Sequence, residues 1–216
     1  PSMKFVGCKS IEQQDILMLH RIRSQKVKHR TALVNQIRGF LNEFGVILSR
    51  RVDPLKRELV EVLSTSNEEL SELSRRNIYQ LYEDLLQLDD QIERVGQDIK
   101  QLCSTNLDCQ RLMTLPGIGW ITASALVAHI GEIKQFKNGR ELSAFFGLVP
   151  RQYSSGGKSN LLGISKRGDV YIRTLVIHGA RAVLQNLREK TDKHSQWLRE
   201  LKERRGQNKA VVAQAN

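Results

Sequence analysis

Three cysteines, four prolines and an aromatic content of 6% in 216 residues set the first limits on this chain. Cys8, Cys103 and Cys109 are odd in number and lack zinc-like spacing, which speaks against a disulfide framework and fits a reducing cytoplasm. No run of about 18 apolar residues occurs and no signal peptide opens the chain, so membrane insertion and secretion are not indicated. The five histidines, His20, His29, His129, His178 and His194, have no partner at i+4 and no nearby carboxylate pair. A metal site within this chain is therefore not expected. Scarce aromatics beside abundant Leu and Ile favour helices.

What is present in excess is positive charge. Net charge is +11, and its distribution says more than its sum: residues 1–50 carry +6, 51–110 carry −6, 111–150 carry +2 and 151–216 carry +9. The acidic middle reads as a spacer. Both basic ends suit a polyanion, whereas a merely solvated surface mixes its signs. The hydrophobic fraction of 40% is ordinary for a globular chain with one or two cores.

An extended lead-in containing Gly7 precedes Ser10, which is placed to cap a helix starting at Ile11. That helix is predicted to run to about Phe44 on a stripe of Val27, Val34, Ile37, Leu41 and Phe44, interrupted by Arg30. Arg21, Arg23, Lys26, Lys28 and Arg38 make its other face basic, for solvation or for phosphate. Gly45 and Asp53-Pro54 bracket a connection, Leu55, Leu59 and Leu63 predict a short helix, and Ser64-Thr65-Ser66-Asn67 ends it and caps the next. There Ile78, Leu81, Leu85, Leu88, Ile92, Val95, Ile99 and Leu102 alternate by three and four, a coiled-coil seam. An antiparallel hairpin with the first helix is the favoured arrangement, with an intermolecular coil as the alternative. The polar Ser104-Thr105-Asn106 marks a boundary between 1–106, a helical coiled-coil region, and 107–216, a compact helical domain. The fold class expected is all-α.

Leu112 to Leu184 carries the chemistry. Leu115-Pro116-Gly117-Ile118-Gly119, followed by Thr122-Ala123, has the form of a helix-hairpin-helix over about 112–131. With φ > 0 at Gly117 and Gly119, free backbone N–H groups would receive a phosphate oxygen; a plain tight αα-turn reads the same. Leu142, Phe145, Phe146, Leu148 and Val149 are predicted to pack a short helix onto this hairpin. Arg151-Gln152-Tyr153-Ser154-Ser155-Gly156-Gly157-Lys158, then Lys166-Arg167-Gly168-Asp169 and Arg173, form a loop over about 150–169 whose backbone can approach a polyanion. A solvated Ser/Gly turn shares that composition. Beyond it, Val170–Asn186 and Thr191–Arg205 read as helices; Trp197 in the second could stack on a base, but a Trp beside Leu198 and Leu201 more often anchors packing.

The run from Leu115 to Leu184, pairing P-G-I-G with G-L-V-P-R-x-Y-x-S-G, resembles the carboxy-terminal transposase domain of the bridge-RNA-guided, DEDD-type insertion-sequence family numbered one hundred and ten, relatives of the pilin-gene invertases. The resemblance covers the whole chain in order. It implies DNA transposition or site-specific recombination, with Ser155 as the nucleophile that attaches to DNA and Ser154 as its neighbour in question. It also implies a coiled coil that assembles copies into a homo-oligomer, a bridge RNA partner beside DNA, and a nucleoid-associated place in a bacterial cytoplasm. Family members begin with a RuvC-like domain whose four acidic residues hold magnesium. Nothing here matches that domain, so no cofactor is expected on this chain and Mg2+ is expected on the missing part. The chain opens at Pro1 without a methionine and ends at Val211-Val212-Ala213-Gln214-Ala215-Asn216, in what resembles a final family helix. A fragment truncated at both ends, inactive by itself, is the expectation.

A serine hydroxyl is a weak nucleophile and needs proton removal, with cations to hold the charge that develops on phosphorus. Arg151, Lys158, Lys166, Arg167 and Arg173 are the candidate clamps, with Gly117 and Gly119 as backbone donors. One rival is a non-catalytic helix-hairpin-helix module that binds DNA or RNA without needing Ser155. The other is an assembly protein centred on the coiled coil, which leaves the basic glycine-rich loop unexplained.

Overall fold

The computed structural model describes residues 8–65, 70–158, 160–187 and 190–216. Among these the chain is all-α apart from one two-stranded hairpin. It divides into two compact units, Met18–Asp98, and Ile99–Asn216 together with residues up to Leu17. This division falls inside a helix and not at Ser104-Thr105-Asn106.

Helix α1 spans Ile11–Glu43, α2 Val52–Ser64 and α3 Glu72–Thr105. Ser10 starts α1 with a reciprocal cap: the Gln13 N–H donates to Ser10 Oγ at 3.2 Å, and the Ser10 N–H to Gln13 Oε1 at 3.0 Å. In the Met18–Asp98 unit Val34, Ile37 and Leu41 of α1 share one core with Leu55 and Leu59 of α2 and Ile78 and Leu85 of α3. The first part of the predicted seam, Ile78 to Leu85, thus packs inside the chain, whereas its last residue, Leu102, is exposed. Arg30, which breaks the apolar stripe of α1, donates to Asp89 of α3 at 2.9 Å, and Lys56 of α2 pairs with the same carboxylate. Lys26 reaches Gln91 at 2.6 Å, so residues rising along α1 meet residues falling along α3. The two helices run antiparallel. Ser66 and Asn67, assigned to the cap of α3, lie outside the described residues; Ser71 Oγ accepts from the Ser74 N–H at 3.1 Å at that end.

In the other unit the short helix α4 (Leu107–Met113) is capped by Asn106, whose side chain accepts from the Asp108 and Cys109 N–H groups. Then follow α5 (Trp120–Ile130), a single 3-10 turn at Ile133–Gln135 and α6 (Gly139–Phe145). Strands β1 (Pro150–Gln152) and β2 (Leu161–Ile164) precede α7 (Val170–Gln185), α8 (Lys193–Arg205) and α9 (Gln207–Ala215). Ala125 and Leu126 of α5, Phe146 and Leu148 after α6, and Ile172 and Val176 of α7 form one core. Ala180 and Leu184 of α7, Leu198 of α8 and Ala210 and Val211 of α9 form another. Two sequence expectations change here. Phe145 is 39% exposed, its ring set against His129, Phe136 and Phe146 at 5.3–5.6 Å, because α6 turns it along the surface. Trp197 is 43% exposed and stacks on His194 at 5.9 Å, because Ser195 and Leu198 occupy the inward positions of α8. No helix among the described residues is long and apolar enough to cross a membrane.

Candidate active site

The serine segment is a β-hairpin, which the composition alone did not suggest. Gly156 and Gly157 take φ of +57° and +76°, and the Lys158 N–H donates to the Ser155 carbonyl at 3.1 Å. Two consecutive residues at positive φ make a type I′ turn, whose twist matches that of the flanking strands. Ser155 stands directly opposite Lys158, the Tyr153 N–H donates to the Asn160 carbonyl at 2.9 Å, and Gln152 stands opposite Leu161. Pro150 then pairs with Ile164, so β2 carries one extra residue opposite Arg151 and bulges there. The Gly-Gly dipeptide was the available sequence signal.

Strand alternation sorts the side chains. Arg151, Tyr153 and Ser155 share one face, and the opposed pair brings Lys158 to it; all four are exposed. Ser154 points the other way. Its Oγ accepts from Gln152 Nε2 at 2.9 Å and lies 3.4 Å from the Asn160 N–H. Among the described residues the Ser155 hydroxyl has no hydrogen-bond partner.

The hairpin is anchored at its open end. The Ser165 N–H donates to the Val149 carbonyl at 2.8 Å and the Lys166 N–H to the Gly147 carbonyl at 3.1 Å. Backbone meets backbone so closely that a Cβ on Gly147 would lie 2.0 Å from the Arg167 carbonyl oxygen, and one on Gly168 2.0 Å from that of Phe145. Arg173, expected to clamp phosphate, has another task. It is buried, and its Nη1 donates to the Phe146 carbonyl at 3.1 Å and the Arg167 carbonyl at 3.0 Å. A guanidinium satisfied by two orphan carbonyls ties the strap after β2 to the end of α6, and it is not presented to a ligand. Lys166, at φ 56°, and Arg167 are exposed beside this strap. Asp169 caps α7, accepting from the Ile172 N–H at 2.9 Å, a cap that an acid before an apolar run signals.

The glycines of the first motif also part company. Gly117 has φ +89°, but it packs on the backbone of Gly179 in α7. Gly119 does not take the positive φ expected of it: it lies at φ −96°, ψ 177° as the N-cap of α5, without a side-chain cap. It is exposed at the start of the helix.

The magnesium that the resemblance implies finds no fitting ligand set among the described residues, where no three His, Cys, Asp or Glu side chains gather. Cys103 and Cys109 are no rival nucleophiles. Burial, with the neighbouring Cys103, pushes the Cys109 thiol up to about 12, and Cys103 is itself buried.

Residues 109–196, which include the serine hairpin and its anchor, match the family model described as Transposase IS116/IS110/IS902 family. Along its whole length the chain is 49% identical to the transposase for insertion sequence element IS1111A of Coxiella burnetii, covering 59% of that protein. It is 45% identical to a probable family 20 transposase of Pseudomonas aeruginosa and 38% identical to the transposase for insertion sequence element IS1328 of Yersinia enterocolitica, covering 64% of each. The chain thus spans about three fifths of the length of these relatives. Residues 109–196 are similar to the transposase domain of the IS116/IS110/IS902 family, and the whole chain is similar to insertion-sequence transposases of the IS1111A kind.

Proposed function

We propose that this chain is the nucleophile-bearing part of a transposase that joins DNA through a phosphoserine link at Ser155. The observation that carries the reading is the Ser155 hydroxyl: exposed at a tight turn, without a hydrogen-bond partner among the described residues, and on one face with Arg151 and Lys158. In the proposed step Ser155 Oγ attacks the scissile phosphorus. The Oγ–P bond forms as the bond from phosphorus to a deoxyribose oxygen breaks; the hydroxyl loses its proton and the departing oxygen gains one. The charge on the phosphoryl oxygens is held by Arg151 and Lys158, with Lys166 and Arg167 on the adjoining strap. One phosphodiester is exchanged for another, so the bond is conserved for rejoining.

Selection of the target by pairing with a guide RNA, and assembly of several copies through the coiled-coil region, belong to the same proposal. So does the transposition activity itself, which the names of the relatives support. A second reading, a helix-hairpin-helix module that only binds DNA or RNA, is favoured by the uncapped, exposed amino end of α5.

The test is trapping of a denaturation-resistant protein–DNA adduct on a nicked junction, with magnesium, guide RNA and the remaining length of a relative supplied. Mapping the adduct to Ser155, with loss in Ser155→Ala and persistence in Ser154→Ala, is the expected result. Persistence of the adduct in Ser155→Ala transfers the role to another residue. With both nucleic acids bound, absence of any adduct leaves the binding module.

A further inference from the structure

We propose that Tyr153 is a stacking residue that holds the nucleobase next to the phosphate addressed by Ser155. The inference rests on the reading of the hairpin as a DNA-joining site and names what the rest of its face contacts. Tyr153 is 74% exposed on a strand whose neighbouring face positions are Arg151 and Ser155. Its ring has no aromatic or hydrogen-bonding partner among the described residues, which leaves its face open to a ligand.

Spacing supports the assignment. Residues two apart on a strand are separated by about 6.7 Å, nearly twice the rise of about 3.4 Å of a stacked nucleic-acid strand, a span that one nucleotide step covers when the strand is unstacked and extended. A phosphate seated at Ser155 therefore brings the adjoining nucleotide to the ring. An aromatic ring interleaved with cations is the arrangement by which proteins grip unpaired strands: the cations follow the phosphates, and the ring takes a base by its face. Every base has such a face, so this contact adds grip without choosing sequence. It also favours an unstacked base at the cleavage point, which frees the backbone there to turn towards the nucleophile. A protein-facing role is less well matched, since Tyr153 shares its strand face with the cations Arg151 and Lys158, which suit a polyanion better than an apolar surface.

The test compares the chain with Tyr153→Phe and Tyr153→Ala, using a single-stranded oligonucleotide carrying 2-aminopurine and an abasic strand of the same length. Helix content and melting, followed by circular dichroism, are expected to be unchanged in both variants. The unmodified chain and Tyr153→Phe should quench 2-aminopurine and bind alike. Tyr153→Ala should bind the base-bearing strand roughly 5- to 150-fold more weakly, the range that loss of one stacked base implies, and should bind the abasic strand as the unmodified chain does. Equal binding of the base-bearing strand by Tyr153→Ala overturns the inference while leaving Ser155 untouched. So does loss in Tyr153→Phe as deep as in Tyr153→Ala, which would make the phenol oxygen the contact. A change in oligomeric size with unchanged DNA binding overturns it in favour of a surface between copies. Failure of the unmodified chain to bind any strand sinks the DNA-joining reading itself.

Discussion

Gly179→Ala puts the packing of the unit that bears the hairpin to a test of sign. Gly179 lies inside α7, where helix propensity alone promises about 1 kcal/mol of stabilisation on replacement by Ala. The structure predicts the opposite. A Cβ at Gly179 would stand 2.0 Å from the carbonyl oxygen of Gly117 and 3.0 Å from its carbonyl carbon. Ordinary C···O approach is about 3.3 Å or more, so α7 and the Pro116–Gly119 turn must part by over about 1 Å. Both partners are backbone, and no side chain can rotate away. Overpacking of this kind costs about 1–3 kcal/mol, and more when the neighbours are stiff. Taking the upper end and setting propensity against it leaves about 2 kcal/mol of destabilisation, or a melting point lower by about 4–8 °C at this chain length. The two tryptophans, Trp120 and Trp197, both lie in the Ile99–Asn216 unit, so tryptophan fluorescence during urea or thermal unfolding reports on it selectively. Gly39→Ala is the control: nothing lies within 4 Å of an added Cβ there, and circular dichroism should show a modest gain. A midpoint for Gly179→Ala equal to or above that of the parent would refute the close contact between the turn and α7.

Arg173→Met should destabilise the same unit by about 2–3 kcal/mol, because it leaves the Phe146 and Arg167 carbonyls without their buried donor; intact stability with weakened DNA binding would restore Arg173 as a phosphate ligand. His20 is buried in α1, and burial followed by the charge of Arg23 lowers its pKa from 6.5 to about 4. A histidine held neutral in the fold stabilises fully above pH 6.5 and loses that contribution as pH falls towards 4, so stability should drop by about 2 kcal/mol between pH 7 and pH 5. His20→Gln should flatten that slope in circular-dichroism melts. Burial pushes the Asp89 carboxyl up, but hydrogen bonds and charge from Lys56 and Arg30 outweigh it and hold it below the usual range. Its contribution is therefore present above the ordinary carboxylate pKa and disappears in acid, below pH about 4. Asp89→Asn should lower stability at pH 7 while removing this acid-side loss.

The long helices were legible because burial imposes a period. In α3 Ile78, Leu85, Ile92 and Ile99, seven apart, are all buried, and Leu81, Leu88 and Val95 between them are half-buried. Arg30 looked like a flaw in the stripe of α1, since no pattern along one helix shows the carboxylate waiting on another. Arg173 misled in the same way. A cation beside a glycine-rich loop looks like a phosphate ligand until the two carbonyls beneath it are visible. The hairpin was hidden for a different reason: strands of three and four residues that are almost wholly exposed leave no alternation of apolar and polar residues to read. Only Gly156-Gly157 marked it. Gly119 was misjudged because its neighbour Gly117 alone needs positive φ; as an N-cap, Gly119 needs only extended backbone.

That hidden hairpin also bears on the choice between the two serines, which composition leaves open. Adjacent residues on a strand point to opposite faces, so Ser154 and Ser155 cannot both accompany Arg151 and Lys158. The turn gives them different surroundings: with Gly156 and Gly157 as its two central residues, Ser155 becomes the residue opposite Lys158, and Ser154 falls on the face of Gln152, whose amide engages its hydroxyl. For Ser154 to take over in a Ser155→Ala variant, the strand would have to slip by one residue. Such a slip would make residue 155 and Gly156 the two central turn residues, placing a residue with a Cβ at positive φ at a cost of roughly 1–2 kcal/mol. Under the proposed chemistry, then, Ser154 does not rescue Ser155. A second serine in the neighbouring position is no reserve when backbone register, and not distance along the chain, determines which hydroxyl meets the phosphate.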